Sequence, residues 1–208
     1  DNGEGVVGVA PEASLYALKV LGSDGSGSYS DVIAAIEWCV DNGIQITNNS
    51  YGISADPGTT VRNAFYNAYN KGIFHVAAAG NSGNPPGTGD NVGYPAAYES
   101  VIAVAATDQN NERAQSSSTG PDLELSAPGV AIKSTLLGGG YGEKSGTSMA
   151  SPHVAGTAAL AWAVDPTYSN SAVRIQLQNT ADDLGATMRD SEYGYGLVNA
   201  AKAVGCIW

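Results

Sequence analysis

A chain of 208 residues suits one domain with a large core, since single cores grow to about 250 residues before they split. Nine basic residues against twenty acidic ones leave a net charge of −11, a field that repels nucleic acid and anionic lipid, so neither is an expected partner. No apolar run approaches the roughly 20 residues that span a bilayer, and the opening DNGEGVVGVAP lacks a signal peptide's basic and apolar regions, so the chain reads as soluble or already processed.

In chain order, ASLYALKVL (Ala13 to Leu21) reads as a strand. YSDVIAAIEWCVDNG follows as a helix, with Ser30 as its N-cap and Gly43 as its stop. IQITNN (Ile44 to Asn49) is a second strand. The helix TTVRNAFYNAYNKG puts Val61, Phe65 and Ala68 on one face and closes at Gly72. The strands IFHVAAA and VIAVAAT follow, separated by a turn-rich surface loop that includes residues 83–93. Beyond Gly138 the pattern is helical: Ser148 to Val164, then SNSAVRIQLQNTA, then NAAKAV. Alternation of this kind predicts an α/β fold, a doubly wound parallel sheet with helices on both faces. Of the two cysteines, Cys39 lies in a helical pattern as a small buried residue and Cys206 sits near the end; spacing does not settle whether they pair.

Ligands of open parallel sheets sit beyond the carboxyl ends of the strands. Three such ends carry glycine-containing turns here, in residues 22–29, 50–52 and 80–83. Ser148 opens an apolar helix with Pro152 in its first turn, so its hydroxyl sits beside free backbone N–H groups and the positive end of the helix dipole. That suits a nucleophile and an oxyanion, although Gly-Thr-Ser-Met-Ala alone fits a plain helix cap equally well. A nucleophilic serine needs a base. His153, five residues on, points about 140° away at 100° per residue, and His75 lies among apolar strand residues as a core histidine.

GVAPEASLYALKVLGSDGSGSYS (8–30), AAAGNSG (77–83), GYPAAYESVIAVAATD (93–108) and GTSMASPHVAG (146–156) resemble, in that order, the subtilisin family of serine endopeptidases. The acidic surface and DNGEGVVGVAPEA look most like the haloarchaeal members, the halolysins. The resemblance implies a secreted, extracellular enzyme acting on protein or peptide substrates through an acyl-enzyme on Ser148. Asn81 would be the side-chain donor of the oxyanion hole. Gly25, Ser26 and Gly27 would pair with substrate backbone, and Tyr29 would wall a more distant pocket. Ser50, Tyr51 and Gly52 would face Ala78, Ala79 and Gly80 across the primary pocket, favouring large apolar residues. Structural calcium would be held by Asn2, Glu4 and Val6, with a second cation at Ala96, Tyr98 and Val101, and Tyr94–Pro95 would be cis.

In the family both partners of the serine lie upstream of it, so the resemblance implies that residues 1–208 are the C-terminal three-quarters of one peptidase domain. The catalytic aspartate and histidine would then belong to a missing N-terminal segment, and this chain alone would be nearly inactive. The competing expectation is a truncated fragment that at most binds peptides along Gly25 to Gly27.

Overall fold

The computed structural model describes residues 3–85 and 87–205. Helix α1 (Tyr29–Asp41) leads to strand β1 (Ile46–Asn49), α2 (Thr59–Asn70), β2 (Phe74–Ala78) and β3 (Val101–Thr107). After them come β4 (Leu123–Pro128), the hairpin of β5 (Ile132–Thr135) and β6 (Tyr141–Lys144), then α3 (Thr147–Val164), α4 (Asn170–Thr180) and the short α5 (Ala200–Ala203). Strands β1 to β4 form one parallel sheet in sequence order. Every residue of β2 and β3 is buried, as expected of parallel strands covered on both faces. One core, with Val61, Phe65 and Ala68 as its α2 contribution, joins α1 and α2 to the sheet; the other joins α3, α4 and α5 to the opposite face.

Two local expectations need correction. Ser28, not Ser30, caps α1: its side chain accepts from the Asp31 N–H, while the Ser30 hydroxyl bonds to Ser28 Oγ. Ala13 to Leu21 is not a strand. Its alternation is strand-like, but a strand exists only by pairing, and residues 13–19 are exposed, Leu15 by 92%. Helix α3 is apolar all round yet only half covered: Ala150, Val154, Ala158 and Ala161 are buried, whereas Pro152 and Val164 face outward. Among the described residues β1 forms one edge of the parallel sheet.

Candidate active site

The carboxyl ends of β1 and β2 meet the amino end of α3. Gly146 caps the helix at φ 144°, a left-handed conformation open to glycine, and a Cβ there would lie 3.3 Å from Asn81 Oδ1. That closeness lets Asn81 reach the first turn: Thr147 donates to its Oδ1 from the backbone N–H (3.0 Å) and from Oγ1 (3.3 Å). The Gly80 N–H in turn donates to Thr147 Oγ1 at 3.1 Å. With its oxygen fixed in this way, Asn81 keeps its amide N–H groups unpaired among the described residues, beside Ser148 at the positive end of α3.

Ser148 and Ser50 are tied reciprocally. Ser148 Oγ donates to the Ser50 carbonyl at 3.1 Å, and Ser50 Oγ donates to the Ser148 carbonyl at 2.9 Å. The second bond has a backbone cause. Since α3 begins at Thr147, Pro152 lies in its second turn rather than the first, and the N–H it lacks is the one that would bond the Ser148 carbonyl. A residue expected to be harmless to the helix thus frees an acceptor for β1. One turn of strand and helix is fixed further by Ser151 Oγ, which donates to Asn48 Oδ1 at 2.7 Å.

Neither histidine reaches Ser148. His153 Nδ1 bonds the Met149 carbonyl at 2.8 Å, and His75, fully buried, shares a 2.7 Å bond with Thr47 Oγ1. Burial lowers the His75 pKa from 6.5 to about 4, partly offset by the Phe65 backbone. An unfolded chain takes up this proton near pH 6.5 and the folded one only near 4, so the linked stability is complete above 6.5 and falls as pH drops to 4. The loss should be about 3 kcal/mol at 1.36 kcal/mol per unit. Urea unfolding across this range should show His75→Val losing that much less than the unmodified protein; parallel pH profiles would refute it.

A pocket of about 180 Å³ opens beside Ser148. It brings together Tyr51, Gly52, Ala78, Gly80 and Asn81 of the expected set, with Ala79 buried behind the wall. Ile53, Ser54, Ser82, Asn91, Gly93 and Thr147 line it too; Ser82, Gly93 and Thr147 lie in the motifs quoted above, whereas no sequence signal marked Ile53, Ser54 or Asn91 as site residues. Backbone contacts bring several of them in: Ile53 and Tyr94 exchange N–H···O bonds of 2.9 and 2.8 Å, and Gly93 donates to Ala79 at 2.8 Å. Gly25 to Gly27 lie outside this pocket on the turn before α1, where Asp24 accepts from the Ser26 N–H and hydroxyl, and Tyr29, the first residue of α1, lies outside it too. The Tyr94–Pro95 bond is cis.

Of the expected calcium ligands, Asn2 lies outside the described residues, as does Cys206. Glu4 and Val6 alone fall short of the 6–8 oxygens calcium takes, and no cluster of three His, Cys, Asp or Glu able to hold a metal occurs among the described residues. Ala96, Tyr98 and Val101 are buried, and the Tyr98 carbonyl accepts from the Val101 N–H. Near them the Arg174 guanidinium donates to the Glu99 carbonyl and to Glu124, which places positive charge beside Tyr98 and Val101 and makes these residues a poor fit for calcium.

Comparison with known proteins gives a consistent picture. A family model described as the subtilase family matches residues 1–196. Subtilisin DY of Bacillus licheniformis is 50% identical over 203 residues, which cover 98% of this chain and 72% of that protein. Subtilisin Savinase of Lederbergia lenta is 48% identical with the same coverage. An alkaline protease of Alkalihalobacillus alcalophilus is also 48% identical, over 98% of this chain and 51% of its own length.

Proposed function

The chain belongs to the subtilase family, and from that membership we propose that it is a serine endopeptidase forming its acyl-enzyme on Ser148. The observation that carries the reading is the Asn81–Thr147 pairing, which leaves a side-chain amide beside a serine at a helix N-terminus. Ser148 Oγ attacks the scissile carbonyl, its proton passes to a base, and the oxygen that becomes negative is met by the Asn81 amide and the α3 N-terminus. The pocket walled by Tyr51, Gly52 and Ala78 takes the residue before the scissile bond, favouring large apolar ones, while Gly25, Ser26, Gly27 and Tyr29 contact substrate further along. Asn81→Leu should lower kcat by about 10²–10³ with little change in KM, a magnitude known from a subtilisin. A variant within tenfold of the unmodified enzyme would remove Asn81 from this role.

The base is proposed to come from a further segment that completes the domain, so that residues 1–208 supply its C-terminal three-quarters. The half-covered face of α3, the open edge of β1 and the exposed residues 13–19 support this reading. A propeptide is the other partner proposed. The alternative, a fragment that only binds peptides, is favoured by one observation: Ser148 Oγ bonds a backbone carbonyl and reaches no histidine among the described residues. A fluorophosphonate separates the two. Phosphonylation of Ser148 with loss of fluoride, in the native protein with its companion segment, is expected; no labelling of folded material would sink the peptidase reading.

We further propose a secreted protein, salt-adapted in the halolysin manner given its charge of −11, with structural calcium at Glu4 and Val6 completed by other residues. Among the described residues no helix is long and apolar enough to cross a membrane. Scanning calorimetry checks both cation effects. The unfolding temperature should rise with calcium, fall with EDTA, and rise with sodium chloride as acidic self-repulsion is screened. A midpoint indifferent to calcium and EDTA would remove the metal from this proposal.

A further inference from the structure

Strand β1 carries a polar row where its surroundings call for an apolar one. Thr47, Asn49 and Tyr51 alternate along the chain and so share a face, turned toward α1 and α2, while Asn48 and Ser50 point to α3. On a parallel strand the face turned to a layer of helices is ordinarily Val, Ile or Leu. Here it is joined end to end by hydrogen bonds. Tyr51 Oη donates to Asn49 Oδ1 at 2.8 Å; Asn49 Nδ2 donates to Thr47 Oγ1 and to the Val76 carbonyl, each at 3.0 Å. Thr47 Oγ1 meets His75 Nδ1 at 2.7 Å, directly across the β1–β2 register. Asn49 is 4% exposed and His75 not at all, so the row runs from the pocket wall to the middle of the core.

Such a network is costly unless connected, and when connected it holds its members in one arrangement. Its outer member is the one that lines the pocket beside Ser148. An aliphatic wall there would yield to a bulky ligand by a change of rotamer. A tyrosine tethered at its hydroxyl swings aside only by leaving Asn49 with an unpaired, buried oxygen. We propose that Asn49, Thr47 and His75 are positioning residues for the Tyr51 ring, and that this anchored ring sets the size of side chain the pocket accepts. The inference rests on the peptidase reading above. Its consequence is that residues deep in the core set substrate preference without touching substrate.

The test uses two N-acetylated tetrapeptides that differ only in the last residue, phenylalanine or alanine, titrated calorimetrically into the native protein. Tyr51→Phe removes only the tether, and Asn49→Leu removes its anchor. Each is expected to shift the ratio of the two Kd values on the order of five- to tenfold toward phenylalanine, the scale of pocket discrimination by a few carbons. In a Tyr51→Leu background, Asn49→Leu should shift the ratio by less than about twofold, because its route to the ligand is gone. Both peptides binding with an unchanged ratio in Tyr51→Phe and Asn49→Leu would overturn the positioning role, as would an equal shift in the Tyr51→Leu background. If neither peptide binds the unmodified protein, the peptidase reading fails and this inference with it; Tyr51→Phe, which alters no packing, keeps the test decisive should Asn49→Leu not fold.

Discussion

Arg174→Ala is expected to cost about 3–5 kcal/mol of folding stability, because it strands a buried carboxylate. Glu124 is 3% exposed in the interior of β4. Its Oε1 accepts from Arg174 Nε at 2.7 Å and from Gln178 Nε2 at 2.8 Å, and its Oε2 pairs with Arg174 Nη2. The same guanidinium donates to the Glu99 carbonyl at 2.8 Å and lies over the Tyr69 ring, so one side chain ties α4 to the sheet and to the loop before β3. Guanidinium denaturation would measure the loss, and the double variant Glu124→Leu with Arg174→Leu should recover most of it, since the damage lies in the unpaired charge. The pair Arg62–Asp56, with side chains 50% and 30% exposed, gives the contrast: Arg62→Ala should cost no more than about 1 kcal/mol. If the two arginine variants unfold alike, the Glu124 site is wetter than its burial implies.

That pair also shows why part of the fold escapes a reading of sequence. In Leu123–Pro128 an acid and a serine interrupt an apolar stretch, and nothing local says that Glu124 points inward; its partner is 50 residues away on α4. Residues 13–21 fail in the opposite direction. They alternate as a strand should, but strand formation is a property of a pair, and the pattern cannot supply the partner. By contrast α1, α2 and the strands β2 and β3 are legible, because Val61, Phe65 and Ala68 repeat at helical spacing and the two strand runs are apolar but for His75 and Thr107, while β1 is marked only by Ile44 and Ile46 ahead of its polar end.

The candidate site divides in the same way. Ser148 and Asn81 stand out through their motifs, and the glycine-rich strand ends locate the rim. What joins them is long-range: Thr147 to Asn81 spans 66 residues, and the Ser148–Ser50 exchange spans 98. Pro152 is the instructive residue. Its permitted place at a helix start is a local rule, whereas its effect here, an unclaimed Ser148 carbonyl taken by Ser50, appears only once β1 lies alongside α3.

Residues 1–208 alone are expected to turn over peptide substrates about 10⁶-fold more slowly than the same residues with the segment proposed to carry the base, the loss known from removing the triad of a subtilisin. That factor corresponds to about 8 kcal/mol of transition-state stabilisation. On the proposed reading the loss falls on one half of the chemistry. The Asn81 amide and the α3 N-terminus remain in place for the developing oxyanion, whereas the Ser148 proton faces the Ser50 carbonyl, which is no base, and both histidines are held by other groups. A residual rate about 10³–10⁴ above water is therefore expected from the oxyanion side, and Asn81→Leu should erode it while His153→Ala leaves it unchanged. Steady-state hydrolysis by purified 1–208 and by a longer gene product, each compared with its Ser148→Ala variant, measures both quantities. Full Ser148-dependent turnover from 1–208 alone would mean that a base exists within it, and the proposal of a completing segment would fall.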